Sequence, residues 1–114
     1  MPINFSGATA FNTERGTIQI ELPDNKQYTL DLNVVYAYNI TNVTFYSLSG
    51  NGYVSVLVGS TPLTQVNNLT FNQTISSVTV NTGNGVSVGS SVYAQVSGNN
   101  FGSDLIIGIT YVRQ

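Results

Sequence analysis

The sequence predicts an all-β protein, an antiparallel β-sandwich of jelly-roll type with about eight short strands. Apolar and polar residues alternate with period two in short segments, which is the pattern of half-buried strands. Turn sequences rich in glycine and asparagine separate these segments at spacings of roughly ten residues. No segment shows a helical apolar period over a dozen positions, so helices are not expected. A chain of 114 residues predicts one domain.

The chain divides into an arm and a sandwich domain. Residues 1–16 are small and polar without regular alternation, so an irregular N-terminal arm is expected there. Strand patterns begin at Thr17 and recur to the C-terminus, which places the β-sandwich domain at residues 17–114. The arm carries two isolated aromatics, Phe5 and Phe11, as candidate interface anchors that insert into pockets on an adjacent chain. A frayed terminus is the alternative.

Residues 17–22 and 27–32 are predicted to form a hairpin. Apolar side chains occupy every second position in both segments, for example Ile18 and Ile20 in the first. Residues 23–26, Pro-Asp-Asn-Lys, read as the turn, because proline fixes φ and the Asp and Asn side chains bond locally to the backbone.

The middle of the chain continues in extended style. Residues 34–38 and 42–48 are rich in β-branched and aromatic side chains, which favour strands. Residues 49–52, Ser-Gly-Asn-Gly, predict a hairpin turn, because glycine and asparagine tolerate positive φ. A strand at residues 53–58 follows, and glycine and proline within residues 59–62 end it.

The last part of the chain supplies the remaining strands. They are predicted at residues 69–71, 74–80, 86–88 and 91–97. A turn is expected at residues 83–85 and a loop at residues 98–102, where glycine and asparagine cluster. Residues 104–112 are apolar on both faces, which predicts a central strand.

Charge is scarce, and it is absent between Asp31 and Asp104. Charged residues make up 7% of the chain, against about 25% in a typical soluble domain. Three basic residues, Arg15, Lys26 and Arg113, cannot neutralise many phosphates, so nucleic acid is not an expected partner. The sequence has neither a polybasic segment nor an apolar run of about 20 residues, so no membrane partner is expected.

The same scarcity argues against enzyme chemistry, since the chain also lacks histidine and cysteine. Acid–base catalysis commonly uses a carboxylate pair, and Glu21 and Asp31 could meet across the predicted hairpin. Both alternate with apolar residues, so they are expected to face solvent. Calcium at Asp24 or Asp104 is the alternative to a turn or strand-entry role. We therefore predict no catalytic residue, no metal site and no cofactor.

Four tyrosines are candidate interface residues: Tyr36, Tyr38, Tyr46 and Tyr53. Tyrosine combines rigid apolar area with a hydroxyl group, and it is enriched at protein interfaces. The alternatives are a place at strand edges, half in the core, or a glycan site formed with neighbouring amides. Uncharged sheet edges also lack the usual guard against strand addition, which favours a protein that pairs with copies or neighbours.

Five stretches resemble a module common in virion proteins of tailed bacteriophages. They are Tyr-Thr-Leu-Asp-Leu at residues 28–32, Tyr-Ala-Tyr-Asn-Ile at residues 36–40, the segment 49–58, Val-Ser-Val-Gly-Ser-Ser at residues 86–91 and the ending at residues 103–113. Over residues 27–113 the chain is similar to the small β-sandwich of capsid decoration (cement) proteins and of head- and tail-fibre tips.

This resemblance implies a non-enzymatic virion structural protein, a decoration protein that binds and stabilises neighbouring subunits of the major capsid protein. It implies a homodimer or homotrimer located in the virion and made in the host cytoplasm, and the N-terminus shows no signal peptide. Fibre modules follow a long stalk, whereas this sequence has 114 residues, so a stand-alone virion protein is expected. The alternative is a receptor- or glycan-binding fibre tip that uses loops at residues 49–52 and 98–102.

Overall fold

The computed structural model describes residues 4–6, 13–21 and 23–114, with side chains for residues 15–21 and 23–114. Eleven strands lie in this part of the chain: β1 (Asn4–Ser6), β2 (Thr13–Ile20), β3 (Gln27–Asp31), β4 (Tyr38–Tyr46), β5 (Ser49–Val58), β6 (Thr61–Pro62), β7 (Leu69–Phe71), β8 (Ser76–Thr79), β9 (Gly85–Val86), β10 (Val92–Ser103) and β11 (Leu105–Arg113). They form two packed antiparallel sheets, which confirms the predicted all-β, jelly-roll-like sandwich. The described residues include no helix long and apolar enough to cross a membrane.

The two sheets differ in their edges. Sheet A has the order β1-β2-β11-β4-β8, and β9 pairs with the start of β4. Sheet B has the order β3-β10-β5-β6, and β7 pairs with the first half of β5. β1 therefore lies at one edge of sheet A and β3 at one edge of sheet B. The four longest strands, β4, β5, β10 and β11, lie inside the sheets.

The core lies between the sheets and consists of alternate residues of the long strands. β11 contributes four side chains that are each at most 1% exposed: Leu105, Ile107, Ile109 and Tyr111. β10 contributes Val92, Ala94 and Val96 from sheet B. The predicted central position of the final strand is confirmed, because β11 lies between β2 and β4. Full burial of one such aliphatic side chain stabilises the fold by about 1.5–3 kcal/mol.

The predicted hairpin of residues 17–22 with residues 27–32 is wrong. β2 pairs with β1 and β11 in sheet A, whereas β3 pairs with β10 in sheet B. Residues 23–26 do form a connection, but it passes from one sheet to the other. Alternation correctly placed Ile18 and Leu30 in the core but not Leu32, which is 66% exposed beyond the end of β3. An alternating pattern also contains no information on which strand pairs with which.

The predicted hairpin turn at residues 49–52 is wrong for the same reason. β4 belongs to sheet A and β5 to sheet B, and the chain crosses between them at Ser47 and Leu48. β5 already begins at Ser49. Residues 98–102, predicted as a loop, lie within β10, which continues to Ser103 with irregular register.

Two further boundaries differ from the prediction. Residues 34–37 are not in a strand, and β4 begins only at Tyr38. β2 begins at Thr13 inside the segment predicted to be irregular, because its pairing with β11 runs to Val112. β1 pairs with β2 over Asn4–Ser6, so this part of the arm is also extended.

Candidate functional site at two ends of the sandwich

One end of the sandwich, which we call the base, carries three exposed aliphatic side chains. Leu32, Val35 and Val88 are 66%, 74% and 64% exposed. They lie on two neighbouring loops that follow β3 and β9. We call these three residues the base patch.

Backbone hydrogen bonds join the two loops of the base. Val34 N donates to Ser90 O over 2.9 Å, and Gly89 N donates to Val34 O over 2.8 Å. The side chain of Val34 is 1% exposed in the core, so the next residue, Val35, projects to the outside. The Ser91 hydroxyl also donates to Leu32 O over 2.5 Å. Hydrogen bonds therefore fix the backbone of the two loops that carry the base patch.

A buried tyrosine lies beneath the base. The ring of Tyr38 is 2% exposed, and its centroid is 4.7 Å from that of Tyr111. Its hydroxyl donates to Asp31 Oδ2 over 3.3 Å. Burial raises the pKa of the Tyr38 hydroxyl well above its ordinary value, and the nearby Asp31 carboxylate raises that pKa further.

We expect the stability of the protein to fall as the pH rises above about 10, the ordinary pKa of tyrosine. In that range the unfolded chain releases the Tyr38 proton while the folded chain keeps it, so rising pH favours unfolding. Tyr38→Phe should flatten this part of the curve of unfolding free energy against pH, measured by urea denaturation. Between pH about 6 and about 9 neither Tyr38 nor a carboxylate is expected to titrate, so the two proteins should share one pH dependence there, and a flattening in that range would contradict the assignment.

The opposite end, which we call the tip, contains the β4–β5 and β10–β11 connections. Leu48 N donates to Ser103 O over 3.1 Å, and the hydroxyls of Ser49 and Ser103 are 2.6 Å apart. Asn51 pairs with Asn100 across β5 and β10. The two segments predicted as separate loops, residues 49–52 and 98–102, thus lie side by side as paired strand ends.

Three large apolar side chains are exposed at the tip: Leu48 at 60%, Ile75 at 65% and Phe101 at 90%. Tyr53, 45% exposed, lies nearer the middle of sheet B, with its ring over Gly98. These residues and the base patch are the exposed large apolar side chains among the residues whose side chains the structure describes. Apolar exposure is therefore confined mainly to the two ends.

Asn99 ties the tip to the connection between the sheets. Its backbone N donates to Asn25 Oδ1 over 2.9 Å, and its side-chain Nδ2 donates to Pro23 O over 2.7 Å. Its Oδ1 accepts a hydrogen bond from Gly102 N over 3.1 Å. One side chain thus fixes the end of β10 against the segment that leads into β3.

A cleft of about 300 Å³ opens beside this connection, between β2 and β3. It is lined by Ile18, Gln19, Ile20, Glu21, Asp24, Lys26 and Tyr28. The ring of Tyr28 lies 5.2 Å from Lys26 Nζ, and its hydroxyl accepts from Asp24 N over 2.6 Å. The cleft therefore combines aliphatic and aromatic surface with charges of both signs.

The candidate carboxylates do not come together. Glu21 lines this cleft at the tip, whereas Asp31 ends β3 at the base. Asp31 is partly buried and accepts a hydrogen bond from Tyr38, so the expectation that it faces solvent is only partly correct. Asp104, at the β10–β11 corner, has φ of 53° and accepts from Gln19 Nε2. Within residues 15–21 and 23–114, no three acidic side chains form a group that could hold a metal ion.

The predicted interface tyrosines occupy different environments. Tyr38 is in the core, where its ring packs against Tyr111. Tyr36 is partly buried under Arg113, whose guanidinium carbon is 4.1 Å from the ring centroid. Tyr46 is partly buried on β4, and Tyr53 is exposed. For Phe5 only the backbone position in β1 is described, and Phe11 lies outside the described residues.

Sequence reasoning did not single out the base patch or Phe101. The base patch interrupts the alternation after β3, and Phe101 is an aromatic residue inside a run of Gly and Asn. In the sequence, each of these four residues was only an apolar residue in a segment predicted to be a loop or a strand end.

Comparison with known proteins shows similarity at the level of fold. A chain in the capsid asymmetric unit of cyanophage Pam1 has a TM-score of 0.54 at 12% identity, over 97% of this chain and 86% of that chain. A chain in the acidic stable capsid of Helicobacter pylori bacteriophage KHP30 has a TM-score of 0.52 at 17% identity, over 88% and 86%. The nucleoplasmin-like N-terminal domain of Drosophila FKBP39 has a TM-score of 0.50 at 8% identity, over 96% and 95%. No protein-family model and no curated protein matches the sequence.

Proposed function

We propose that this chain is a non-enzymatic structural protein of a bacteriophage virion, a decoration protein that binds neighbouring subunits of the major capsid protein. The observation that carries the proposal is the placement of exposed apolar side chains at two ends of a polar sandwich. A protein that holds neighbours together needs contact surfaces at separate places, and the base and the tip provide them. Its fold, similar to chains of two phage capsids, supports a virion setting.

The chemistry of the surface supports a contact role over a catalytic one. No residue between Asp31 and Asp104 carries a charge, so most of the surface offers hydroxyl, amide and backbone groups. Contacts built from such groups contain few charges for salt to screen, and they would persist over a range of ionic strength.

The base patch is the proposed contact with the capsid. Burying Leu32, Val35 and Val88 against a capsid subunit would contribute about 1–2 kcal/mol each, since roughly two-thirds of each side chain is still exposed. The hydrogen bonds between the two base loops fix the backbone before binding. Little conformational entropy is then lost in the complex.

The double substitution Val35→Ser and Val88→Ser should weaken capsid binding at least about tenfold, because about 1.4 kcal/mol corresponds to a factor of ten. The measurement is co-sedimentation with capsids of a phage that encodes this chain, purified without the protein. Both side chains lie outside the core, so the midpoint of thermal unfolding should stay unchanged.

A matched control for this test changes two exposed residues of the sandwich body, Thr79→Ser and Gln95→Ser, and should leave binding unchanged. Undiminished binding by the base variant would contradict the role of the patch. Absence of binding by the unaltered protein, together with saturable binding on a glycan array, would favour the alternative of a receptor- or glycan-binding fibre tip.

The N-terminal arm is proposed as an additional tether of the same assembly, with Phe5 and Phe11 as its anchors. Two of the predicted tyrosines, Tyr46 and Tyr53, retain accessible surface for a partner. Tyr36 contributes to the base through its contact with Arg113.

A further inference from the structure

Phe101 occupies a position that is unfavourable for phenylalanine in two independent ways. Its φ is 55°, in the left-handed region that bulky residues rarely adopt, and its side chain is 90% exposed. Positive φ occurs at eight described positions, and the other seven hold residues that tolerate it: Gly50, Gly59, Asn68, Gly83, Gly89, Gly98 and Asp104. Neither backbone conformation nor core packing explains an aromatic residue here, which points to a role in contact.

The surrounding structure holds Phe101 in this conformation. Its carbonyl oxygen accepts from the Ser49 hydroxyl over 3.4 Å, and Gly102 N donates to Asn99 Oδ1 over 3.1 Å. Gly50 lies directly against the backbone of Phe101 and Gly102, where a Cβ atom would overlap both. The ring is thus presented on a fixed backbone, the condition under which an aromatic anchor binds with little loss of entropy.

The cleft that would accept such a ring lies on the same tip. It contains about 300 Å³, and a cavity of about 150 Å³ is enough to bind benzene. Ile18, Ile20 and Tyr28 supply apolar lining. Asn99, two residues before Phe101, is bonded to Pro23 and Asn25 in the connection beside the cleft. Asp104 N, three residues after Phe101, donates to the backbone oxygen of Glu21, which lines the cleft, over 2.8 Å. The segment that carries Phe101 is therefore bonded on both sides to the chain that borders the cleft.

We propose that two copies of this chain pack tip to tip about a two-fold axis, and that Phe101 of each copy inserts into the cleft of the other. A two-fold interface requires an anchor and its receptor on one surface of a single copy, and the tip has both. Electrostatic repulsion between the two copies is small, because the charged residues that line the cleft are few and of both signs: Glu21, Asp24 and Lys26. Such a dimer places the two base patches at its far ends, available for two capsid subunits, but it does not depend on the virion role.

The decisive variant is Phe101→Asn. Asparagine already occupies one position of positive φ in this chain, at Asn68, so the substitution is compatible with the backbone. We expect the unaltered protein to sediment as a dimer and the variant to show a dissociation constant at least about 30-fold higher, as for an interface hot spot. Compared at a protein concentration at which both proteins are monomers, the midpoint of thermal unfolding of the variant should be unchanged or higher, because asparagine adopts this φ more readily. Phe101→Tyr should retain the dimer.

A second variant tests the receptor. Ile20→Trp fills the cleft and should also abolish the dimer, with its fold checked by thermal unfolding. Mixing it with Phe101→Asn should restore a weak heterodimer, because one anchor and one open cleft then remain. Ile75→Asn is the matched control, since Ile75 is equally an exposed apolar residue of the tip but precedes β8 at the opposite edge of sheet A.

Sedimentation equilibrium across a range of protein concentrations gives a clear result either way. A monomer at every concentration, a dimer that survives Phe101→Asn, or a trimer would each overturn the proposal. Co-sedimentation of Phe101→Asn with capsids reports separately on the proposed function, which stands if the monomer still binds capsids through the base patch.

Discussion

Replacing Ile107 by alanine is expected to lower the free energy of unfolding by about 2–5 kcal/mol, the range for large-to-small changes at fully buried positions. Ile107 is 1% exposed and is the third residue of β11, the strand between β2 and β4. It therefore packs between the two sheets with close neighbours on all sides, and its loss leaves a cavity that strands paired on both sides cannot close. Urea denaturation followed by circular dichroism measures the change.

The adjacent residue provides the control for this prediction. Ile106 is only partly buried, and alternation along β11 turns it to the outer face of sheet A. Ile106→Ala should cost less than about 1 kcal/mol, because surface substitutions rarely exceed that. Equal losses at the two positions, or a larger loss at Ile106, would mean that the inward face of β11 has been assigned wrongly.

The contrast between Ile106 and Ile107 shows what the sequence could predict. Side chains alternate with a period of two, so a polar and apolar pattern identifies the buried face of a strand without its partners. Strands were correctly predicted over residues 17–20 and 27–31, but as one hairpin, although β2 and β3 lie in different sheets. Partner choice depends on connections across the sandwich, and no local pattern encodes those.

The candidate site was less predictable than the fold for a related reason. Residues 49–52 and 98–102 each contain glycine and asparagine, so each indicated a turn or loop when considered alone. In the structure they pair with each other, and this pairing fixes Phe101 at positive φ. The exposure of a single aromatic residue depends on that long-range contact, which composition and spacing do not show.

The tyrosines also show that long-range contacts decide what the sequence pattern leaves open. Tyr36 and Tyr38 are separated by one residue and looked equivalent in sequence. In the structure Tyr38 packs in the core against Tyr111, while Tyr36 lies under Arg113 at the surface. Sequence composition identified tyrosine as suited to both core and interface, and only the tertiary contacts separate the two uses.

Replacing Gly50 by alanine is expected to destabilise the protein by about 2–5 kcal/mol, since left-handed backbone costs a non-glycine residue about 1–2 kcal/mol and overpacking about 1–3 kcal/mol. Gly50 has φ of 71°, and a Cβ atom there would overlap the backbone of Phe101 and Gly102. Gly83 is the matched control, because its φ is 60° but nothing lies within 4 Å of its Cβ position. Gly83→Ala should therefore show only the conformational cost, and equal losses in urea denaturation at both positions would contradict the close approach of β5 to β10 that supports Phe101.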